Sequence, residues 1–146
     1  METKELSNVE QSFHVSSGRG KYSTKIPYIV VQNFPDLGLL ASLRFLEWVS
    51  ENPDGIISLP TGKTPEYFIK WTNKLLEGGD LSENRSLMEK HGLSISRKPS
   101  LRGLHFVQIE DYYPIDPTQH NSFHDYVKNY YIRGCTLDMS NALLVN

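Results

Sequence analysis

Apolar and polar residues follow two different periods along the chain, and the change of period separates helices from strands. Apolar side chains that recur every three or four positions predict helices over residues 36–52 and 65–78 and around residues 123–131. Short runs of apolar and β-branched residues predict strands over residues 26–33, 55–59, 103–109 and 142–145. The helical stripes are Leu39, Leu40, Leu43, Leu46 and Val49, then Phe68, Trp71 and Leu75, and finally Phe123, Tyr126, Val127, Tyr130 and Tyr131.

Strands and helices alternate from residue 26 to the last strand candidate. This order predicts right-handed crossovers and a parallel sheet. We therefore predict an α/β fold, a Rossmann-like parallel sheet flanked by helices, in one domain over residues 26–146. Residues 1–25 show no sustained periodicity and are predicted to form a polar tail or a loose first helix. Residues 80–102 are polar and have room for a short helix over residues 83–91.

The composition is that of an ordinary globular chain and excludes several classes of function. Its 146 residues, 38% of them apolar, can bury one core. A net charge of −2 gives no electrostatic reason to expect nucleic acid or a membrane as a partner, and no apolar run is long enough to span a bilayer. Cys135 is the single cysteine, and residues 1–20 lack the apolar core of a signal peptide. These features favour a cytoplasmic location.

The stretch from residue 55 to residue 66 joins a buried strand to a helix through a glycine turn. Pro60 and Gly62 end the strand. Thr64 is the predicted N-cap of the helix, and Pro65 suits its first position. Backbone N–H groups in such a turn converge at the positive end of a helix, which suits a phosphate. A Walker A loop is excluded because Ile57 stands where that motif needs glycine, and an ordinary capped turn remains the alternative.

Two adjacent acidic residues, Glu110 and Asp111, follow the predicted strand over residues 103–109 without a break. Neighbouring residues of a strand start toward opposite faces, so one carboxylate would face the loop after residue 59 and serve as a general base. Both sites lie at the carboxyl ends of predicted strands, where sheets of this kind bind ligands. A solvated acidic turn stays open as the alternative. His120 and His124 lie one helical turn apart without an evident third ligand, so we predict no metal site.

Residues 59–65, Leu-Pro-Thr-Gly-Lys-Thr-Pro, resemble the phosphate-binding loop of the glucosamine-6-phosphate deaminase/isomerase family, Leu-Pro-Thr-Gly-Gly/Ser-Thr-Pro. Lys63 takes the place of the small residue. The segment from residue 106 to residue 123 also resembles that family's Phe-Asn-Met-Asp-Glu-Tyr, which is followed by Ser-Tyr and a helix, with Tyr112 and Ser122 at matching positions. The pair Glu110-Asp111 inverts the order of the family's two acids.

The resemblance implies the amino-terminal half of a glucosamine-6-phosphate isomerase-type fold, with a hexose 6-phosphate as its ligand. The residues implied to hold the phosphate are Thr61, Gly62, Lys63 and Thr64. Glu110 occupies the position of the base that moves a proton between C1 and C2, and Asp111 is its alternate. The implied reaction opens the amino-sugar ring, isomerises an aldose to a ketose and releases ammonia. It implies no redox cofactor and no metal ion.

Two other functions stay open. The 6-phosphogluconolactonases share the fold, but Tyr112 stands where their second motif has arginine, which favours the deaminase. A non-catalytic sugar-phosphate-binding module or fragment is the other alternative, because the family's later segment with the ring-opening histidine has no counterpart up to Asn146. We therefore expect an enzyme only as part of a full-length protein, with residues 1–146 inactive alone. The sequence leaves open whether the protein forms a homo-oligomer.

Overall fold

Helices alternate with short parallel strands in the computed structural model, which describes residues 6–17, 28–77, 81–94 and 99–145. The helices are α1 (Asn8–Ser17), α2 (Phe34–Glu51), α3 (Glu66–Leu76), α4 (Leu81–Lys90) and α5 (Phe123–Tyr126), which continues as a π-helix over Val127–Arg133. The strands are β1 (Ile56–Ile57), β2 (His105–Val107) and β3 (Ala142–Leu143), and a 3-10 turn over Met139–Asn141 precedes β3. The predicted α/β fold, a parallel sheet flanked by helices, is confirmed.

The sheet has the strand order β1-β2-β3, and both pairs of neighbours are parallel. Ile57 pairs with Phe106, and Phe106 pairs with Ala142, so these three side chains share one face of the sheet. This face lies against the core, where Phe106 is only 1% exposed. The Ser58 hydroxyl donates to the Val107 carbonyl at 2.5 Å and ties the carboxyl ends of β1 and β2 together.

The opposite face of the sheet is apolar and is left open by the described part of the chain. Ile56, Val107 and Leu143 alternate with the core residues of their strands and are 72%, 37% and 69% exposed. Parallel sheets in globular proteins normally bury both faces. In the described residues, therefore, the helices cover the sheet from one side only.

Among the described residues, two clusters of buried side chains form the core. The first lies between the sheet, α2, α3 and the π-helix and consists of Val49, Ile57, Ile69, Leu101, Leu104, Phe106, Val127, Tyr131, Cys135 and Leu137. The second lies among the first four helices and consists of Val9, Phe13, Leu39, Leu40, Leu43, Leu46, Leu75, Met88 and Leu93. Burial in the first cluster raises the pKa of the Cys135 thiol to about 12, which leaves it without a reactive thiolate near neutral pH.

Helices α2 and α3 pack closely, and their contact fixes the position of the loop that precedes α3. A Cβ on Gly38 would stand 2.4 Å from the Cβ of Tyr67, so only glycine allows the two backbones to approach this far. The buried Ser42 hydroxyl donates to the Phe68 carbonyl at 2.8 Å and accepts from the Thr72 hydroxyl at 3.1 Å. These polar groups are satisfied inside the interface, as burial requires.

The predicted strand over residues 26–33 is wrong for residues 28–33, which form no strand; residues 26 and 27 lie outside the described residues. Ile29 and Val31 instead pack, half-buried, against the second cluster, so burial against helices accounts for this apolar run. Asn33 follows as the N-cap of α2, and its side-chain oxygen accepts from the Asp36 N–H at 2.9 Å. The helix therefore begins two residues before residue 36, where the sequence predicts its start, and Asp36 lies in the first turn.

Helix α1 lies within the stretch predicted as a polar tail or a loose first helix. Val9 is fully buried, and the ring of Phe13 stacks on His91 with ring centres 4.5 Å apart. This part of the stretch is therefore packed against the second cluster. The predicted short helix over residues 83–91 is confirmed as α4. No helix in the described ranges is both long and apolar enough to span a membrane.

Candidate functional site

The loop between β1 and α3 has a left-handed backbone at its glycine. Gly62 has φ +88°, and a Cβ there would meet nothing within 4 Å, so the need for glycine is conformational rather than steric. Helix α3 begins at Glu66, after Pro65, which makes no side-chain cap bond. The prediction of Thr64 as the N-cap is therefore wrong. A turn in which the Glu66 N–H donates to the Lys63 carbonyl at 3.2 Å moves the helix start forward by one residue.

The residues predicted to hold a phosphate are consecutive in this loop: Thr61, Gly62, Lys63 and Thr64. Their backbone N–H groups donate to no other described residue, and the side chains of Lys63 and Thr64 are exposed. The positive end of the α3 dipole lies directly after them. The loop can thus offer backbone N–H groups, a hydroxyl and an ammonium to one anion.

Glu66 places a carboxylate in the first turn of α3, where it would repel a bound anion. The Lys70 ammonium lies 2.5 Å from this carboxylate, one turn along the helix. The hydrogen bond between the two, assisted by the opposite charges, lowers the pKa of Glu66 and raises the pKa of Lys70. Because the pair is exposed, it contributes little to the stability of the fold. Its effect on the site is that the Lys70 charge offsets the negative charge of Glu66.

Two tyrosines from the last helix donate hydrogen bonds to the same loop. The Tyr126 hydroxyl donates to the Gly62 carbonyl at 2.7 Å, and the Tyr131 hydroxyl donates to the Pro60 carbonyl at 2.5 Å. The apolar stripe to which these tyrosines belong predicts packing only. Nothing in their spacing signals a contact with a loop that lies 64 and 71 residues away along the chain.

The end of β2 is held by a buried amide. Gln108 is 5% exposed; its side-chain N–H donates to the Glu110 carbonyl at 2.8 Å, and its side-chain oxygen accepts from the Val145 N–H at 3.1 Å. The backbone of Glu110 is thereby fixed, while its side chain is exposed and its carboxylate makes no hydrogen bond or ion pair with the described residues. An unpaired carboxylate on a fixed backbone is suited to proton transfer.

Asp111, by contrast, contributes to the cap of the following helix, together with the N-cap residue Ser122, whose side-chain oxygen accepts from the His124 N–H at 3.0 Å. Its carboxylate accepts from the Ser122 hydroxyl at 2.7 Å and from the N–H groups of Tyr112, Phe123 and His124 at 2.9 to 3.0 Å. Partial burial by itself would raise the pKa of Asp111, but these four donors together lower it to about 2. A carboxylate so fully occupied is a weak proton acceptor, which favours Glu110 over its alternate as the base.

We expect Asp111→Ala to lower the free energy of unfolding by about 1 to 2 kcal/mol, because it removes the acceptor of the Phe123 N–H at the start of α5 and leaves the buried Ser122 hydroxyl without its acceptor. Glu110→Ala, at the exposed neighbour, should stay within about 0.5 kcal/mol of the parent. Urea unfolding of the three proteins measures both changes. Equal losses in the two variants would contradict the capping role.

The same cap has a predictable pH dependence. Because the folded-state pKa of Asp111 lies below its ordinary 3.8, the carboxylate contributes stability above about pH 4 and loses it as the pH falls toward about 2. The stability difference between the parent and Asp111→Ala should therefore shrink across this window. A difference that stays constant from pH 5 to pH 2 would show that the charge of Asp111 contributes nothing to the cap.

The structure brings the two predicted sites to one edge of the sheet. β1 and β2 are neighbouring parallel strands, so the loop after β1 and Glu110 after β2 both lie at strand carboxyl ends, which confirms the predicted common edge. No cluster of three or more histidine, cysteine or acidic side chains in the described part of the chain is arranged to hold a metal ion. His124, one of the two histidines considered above, has its Nδ1 2.9 Å from the Val145 carbonyl oxygen.

The fold of the chain is similar to that of a solved structure described as a monomeric glucosamine-6-phosphate deaminase and a missing link of the NagB superfamily. The superposition has a TM-score of 0.56 and 20% sequence identity, and it covers 79% of this chain. It confirms the resemblance at the level of the fold. The chain spans 40% of the length of that deaminase. No protein-family model matches the sequence, and no curated protein sequence is significantly similar to it.

Proposed function

We propose that the loop over residues 60–64 binds the phosphate of a hexose 6-phosphate. The observation that supports this most directly is the set of unpartnered N–H groups at Thr61, Gly62, Lys63 and Thr64 beside the start of α3. The shared fold with a glucosamine-6-phosphate deaminase supports a phosphorylated amino sugar as the ligand.

We further propose that Glu110 supplies the base for an isomerisation of that sugar. With the ring open, the base takes the proton from C2, and the resulting enolamine is reprotonated at C1, which gives an imine at C2. Water adds to this C=N bond, and the C2–N bond then breaks with release of ammonia, so that an amino aldose and water give a ketose and ammonia. Glu110 suits this role because it lies at the same sheet edge as the phosphate loop and its carboxylate is unpaired among the described residues.

A non-catalytic sugar-phosphate-binding module is the second candidate. It is favoured by one observation, that the Glu110 side chain is exposed and makes no hydrogen bond or ion pair with the described residues, as in a solvated acidic turn. The two candidates make the same prediction for phosphate binding and opposite predictions for proton transfer. Binding and exchange therefore have to be measured separately.

Binding of glucosamine 6-phosphate, measured by calorimetry, should weaken about 5- to 10-fold in Lys63→Ala, which loses a charge-assisted contact with the phosphate. Gly62→Val should weaken it about 10-fold, because a β-branched residue is strained at φ +88°. Lys74→Ala is the matched control, since Lys74 lies in the last turn of α3, at the end away from the loop. Equal affinity in all four proteins, or equal affinity for unphosphorylated glucosamine, would show that this loop does not bind the phosphate.

A further inference from the structure

The two tyrosines that contact the loop are brought to it by an unusual helix. Tyr126 and Tyr131 are five residues apart, and on an α-helix residues at this spacing point about 140° away from each other. Here Tyr126 ends α5, and the helix continues as a π-helix over Val127–Arg133, whose wider turns are closed by backbone hydrogen bonds between residues i and i+5. This winding places both tyrosines on the same side, and both hydroxyls reach the loop after β1.

The hydrogen bonds from these hydroxyls determine which way two peptide groups of the loop face. A trans peptide is planar, and its N–H points opposite to its carbonyl. Tyr131 holds the Pro60 carbonyl, so the Thr61 N–H of the same peptide faces away from the helix. Tyr126 holds the Gly62 carbonyl, so the Lys63 N–H also faces away. The two N–H groups are therefore directed to the same side of the loop, away from the tyrosines.

The backbone freedom of Gly62 is the reason why the loop needs these hydrogen bonds. Gly62 at φ +88° has no side chain to restrict its backbone, and the space around it is open, so the peptide that follows it is free to rotate unless its carbonyl is held. The hydrogen bond from Tyr126 removes that freedom. Each bond also polarises its peptide group, which makes the N–H at the other end a stronger donor.

Both hydroxyls remain donors over a wide pH range. Burial, followed by the neighbouring Tyr130, raises the pKa of Tyr126, and burial, followed by Tyr126, raises the pKa of Tyr131. The groups that face them from adjacent elements are Glu66 on α3, which contributes to the shift of Tyr126, and the Cys135 thiol, which contributes to that of Tyr131. Neither tyrosine becomes a phenolate near neutral pH.

We propose that Tyr126 and Tyr131 are positioning residues that aim the Thr61 and Lys63 N–H groups at a bound phosphate monoester. The proposal rests on phosphate binding by this loop, and it adds which donors of the loop are pre-oriented and by what. Tyr131 orients the first N–H and Tyr126 the second, so each tyrosine has a distinct and separable effect.

The test uses Tyr126→Phe, Tyr131→Phe and the double variant, which keep the rings in the core and remove only the hydroxyls. Tyr130→Phe is the matched control, because Tyr130 is 50% exposed, packs on Tyr126 with ring centres 4.4 Å apart, and its hydroxyl has no hydrogen-bond partner among the described residues. The first readout is the NMR order parameter of the amides of residues 61–64 without ligand. The second is the affinity for glucosamine 6-phosphate, with inorganic phosphate as a smaller probe, alongside the thermal unfolding midpoint.

In the parent the order parameters of the loop amides should resemble those of rigid backbone, near 0.85, and in the double variant they should fall below about 0.6. Tyr131→Phe should mainly loosen the Thr61 amide, and Tyr126→Phe the Lys63 amide. Affinity should fall about 3-fold in each single variant and about 10-fold in the double variant, with Tyr130→Phe unchanged.

The outcomes separate this inference from the proposed function. Unchanged order parameters in the double variant would overturn the orienting role, whether or not phosphate binds. Loosened amides with unchanged affinity would show that the tyrosines order the loop without aiming donors at phosphate, which also overturns the proposal. Failure of the parent to bind phosphate would overturn the proposed function, while the ligand-free order parameters would still decide what the tyrosines do.

Discussion

In the complete protein that contains this chain, replacing Glu110 by glutamine is expected to slow the exchange of the C2 proton of glucosamine 6-phosphate with solvent by about 10² or more, the usual contribution of a positioned base. Glutamine keeps the shape of the side chain and removes the proton acceptor. Because the Glu110 carbonyl is held by Gln108 independently of the side chain, the backbone should stay in place. Affinity for the phosphorylated sugar should therefore be unchanged, since the phosphate contacts proposed above lie on the neighbouring loop. Proton NMR in deuterated water follows the exchange directly.

Two further variants make the result specific to Glu110. Glu51→Gln makes the same chemical change at an exposed position just before β1, at the opposite edge of the sheet, and should exchange like the parent. Asp111→Asn should lower the free energy of unfolding but change the exchange rate little, because that carboxylate contributes to a helix cap. Loss of exchange in Asp111→Asn but not in Glu110→Gln would reverse the assignment of the base. If exchange is absent from the parent, or equal in all variants, the non-catalytic sugar-phosphate-binding module is the remaining candidate.

Phe106→Ala is expected to lower the free energy of unfolding by about 3 to 5 kcal/mol, the cost typical of removing a fully buried aromatic ring. Phe106 lies on the middle strand, is 1% exposed, and contacts the Tyr131 ring at 5.9 Å between centres. Total stabilities of small domains are about 5 to 15 kcal/mol, so a loss of this size brings the chain close to unfolding. Urea unfolding at constant pH measures the change.

The matched control is the next residue of the same strand. Val107 points to the open face of the sheet and is 37% exposed, so Val107→Ala should cost less than about 1 kcal/mol. The two variants therefore report which face of the sheet is covered in solution. A loss in Val107→Ala as large as that in Phe106→Ala would show that something also buries the second face. The same comparison, repeated over a range of protein concentrations, would reveal whether that cover is another copy of the chain.

Local patterns in the sequence were enough to predict most of the architecture. The apolar stripes of α2 and α3 have the helical period, and the alternation of strands with helices requires parallel pairing. The loop at Gly62 and the acids at Glu110 and Asp111 were placed at one sheet edge by the same reasoning, since each directly follows a strand. These features depend on interactions within a few residues, so the order of residues is sufficient to specify them.

Two predicted elements differ from the structure: the strand over residues 26–33 and the start of α3. Residues 28–33 carry the β-branched, apolar side chains of a strand, yet they pack on helices without pairing. A run of this composition suits any apolar surface, and only the presence of a neighbouring strand turns it into a strand. Helix α3 starts at Glu66 instead of Pro65, because the Glu66 N–H donates to the Lys63 carbonyl in a turn that precedes the helix.

The different roles of the two acids, and the contact between the tyrosines and the loop, were decided by the tertiary structure alone. Asp111 contributes to the cap of α5 because the start of that helix, 11 to 13 residues later, is folded back onto it, while the Glu110 carboxylate is unpaired among the described residues. Tyr126 and Tyr131 reached the loop because a π-helix turned them to one side, and an apolar stripe does not distinguish that winding from an α-helix. The type of each element follows from near neighbours in the chain, whereas the partner of each polar side chain depends on which distant surfaces pack together.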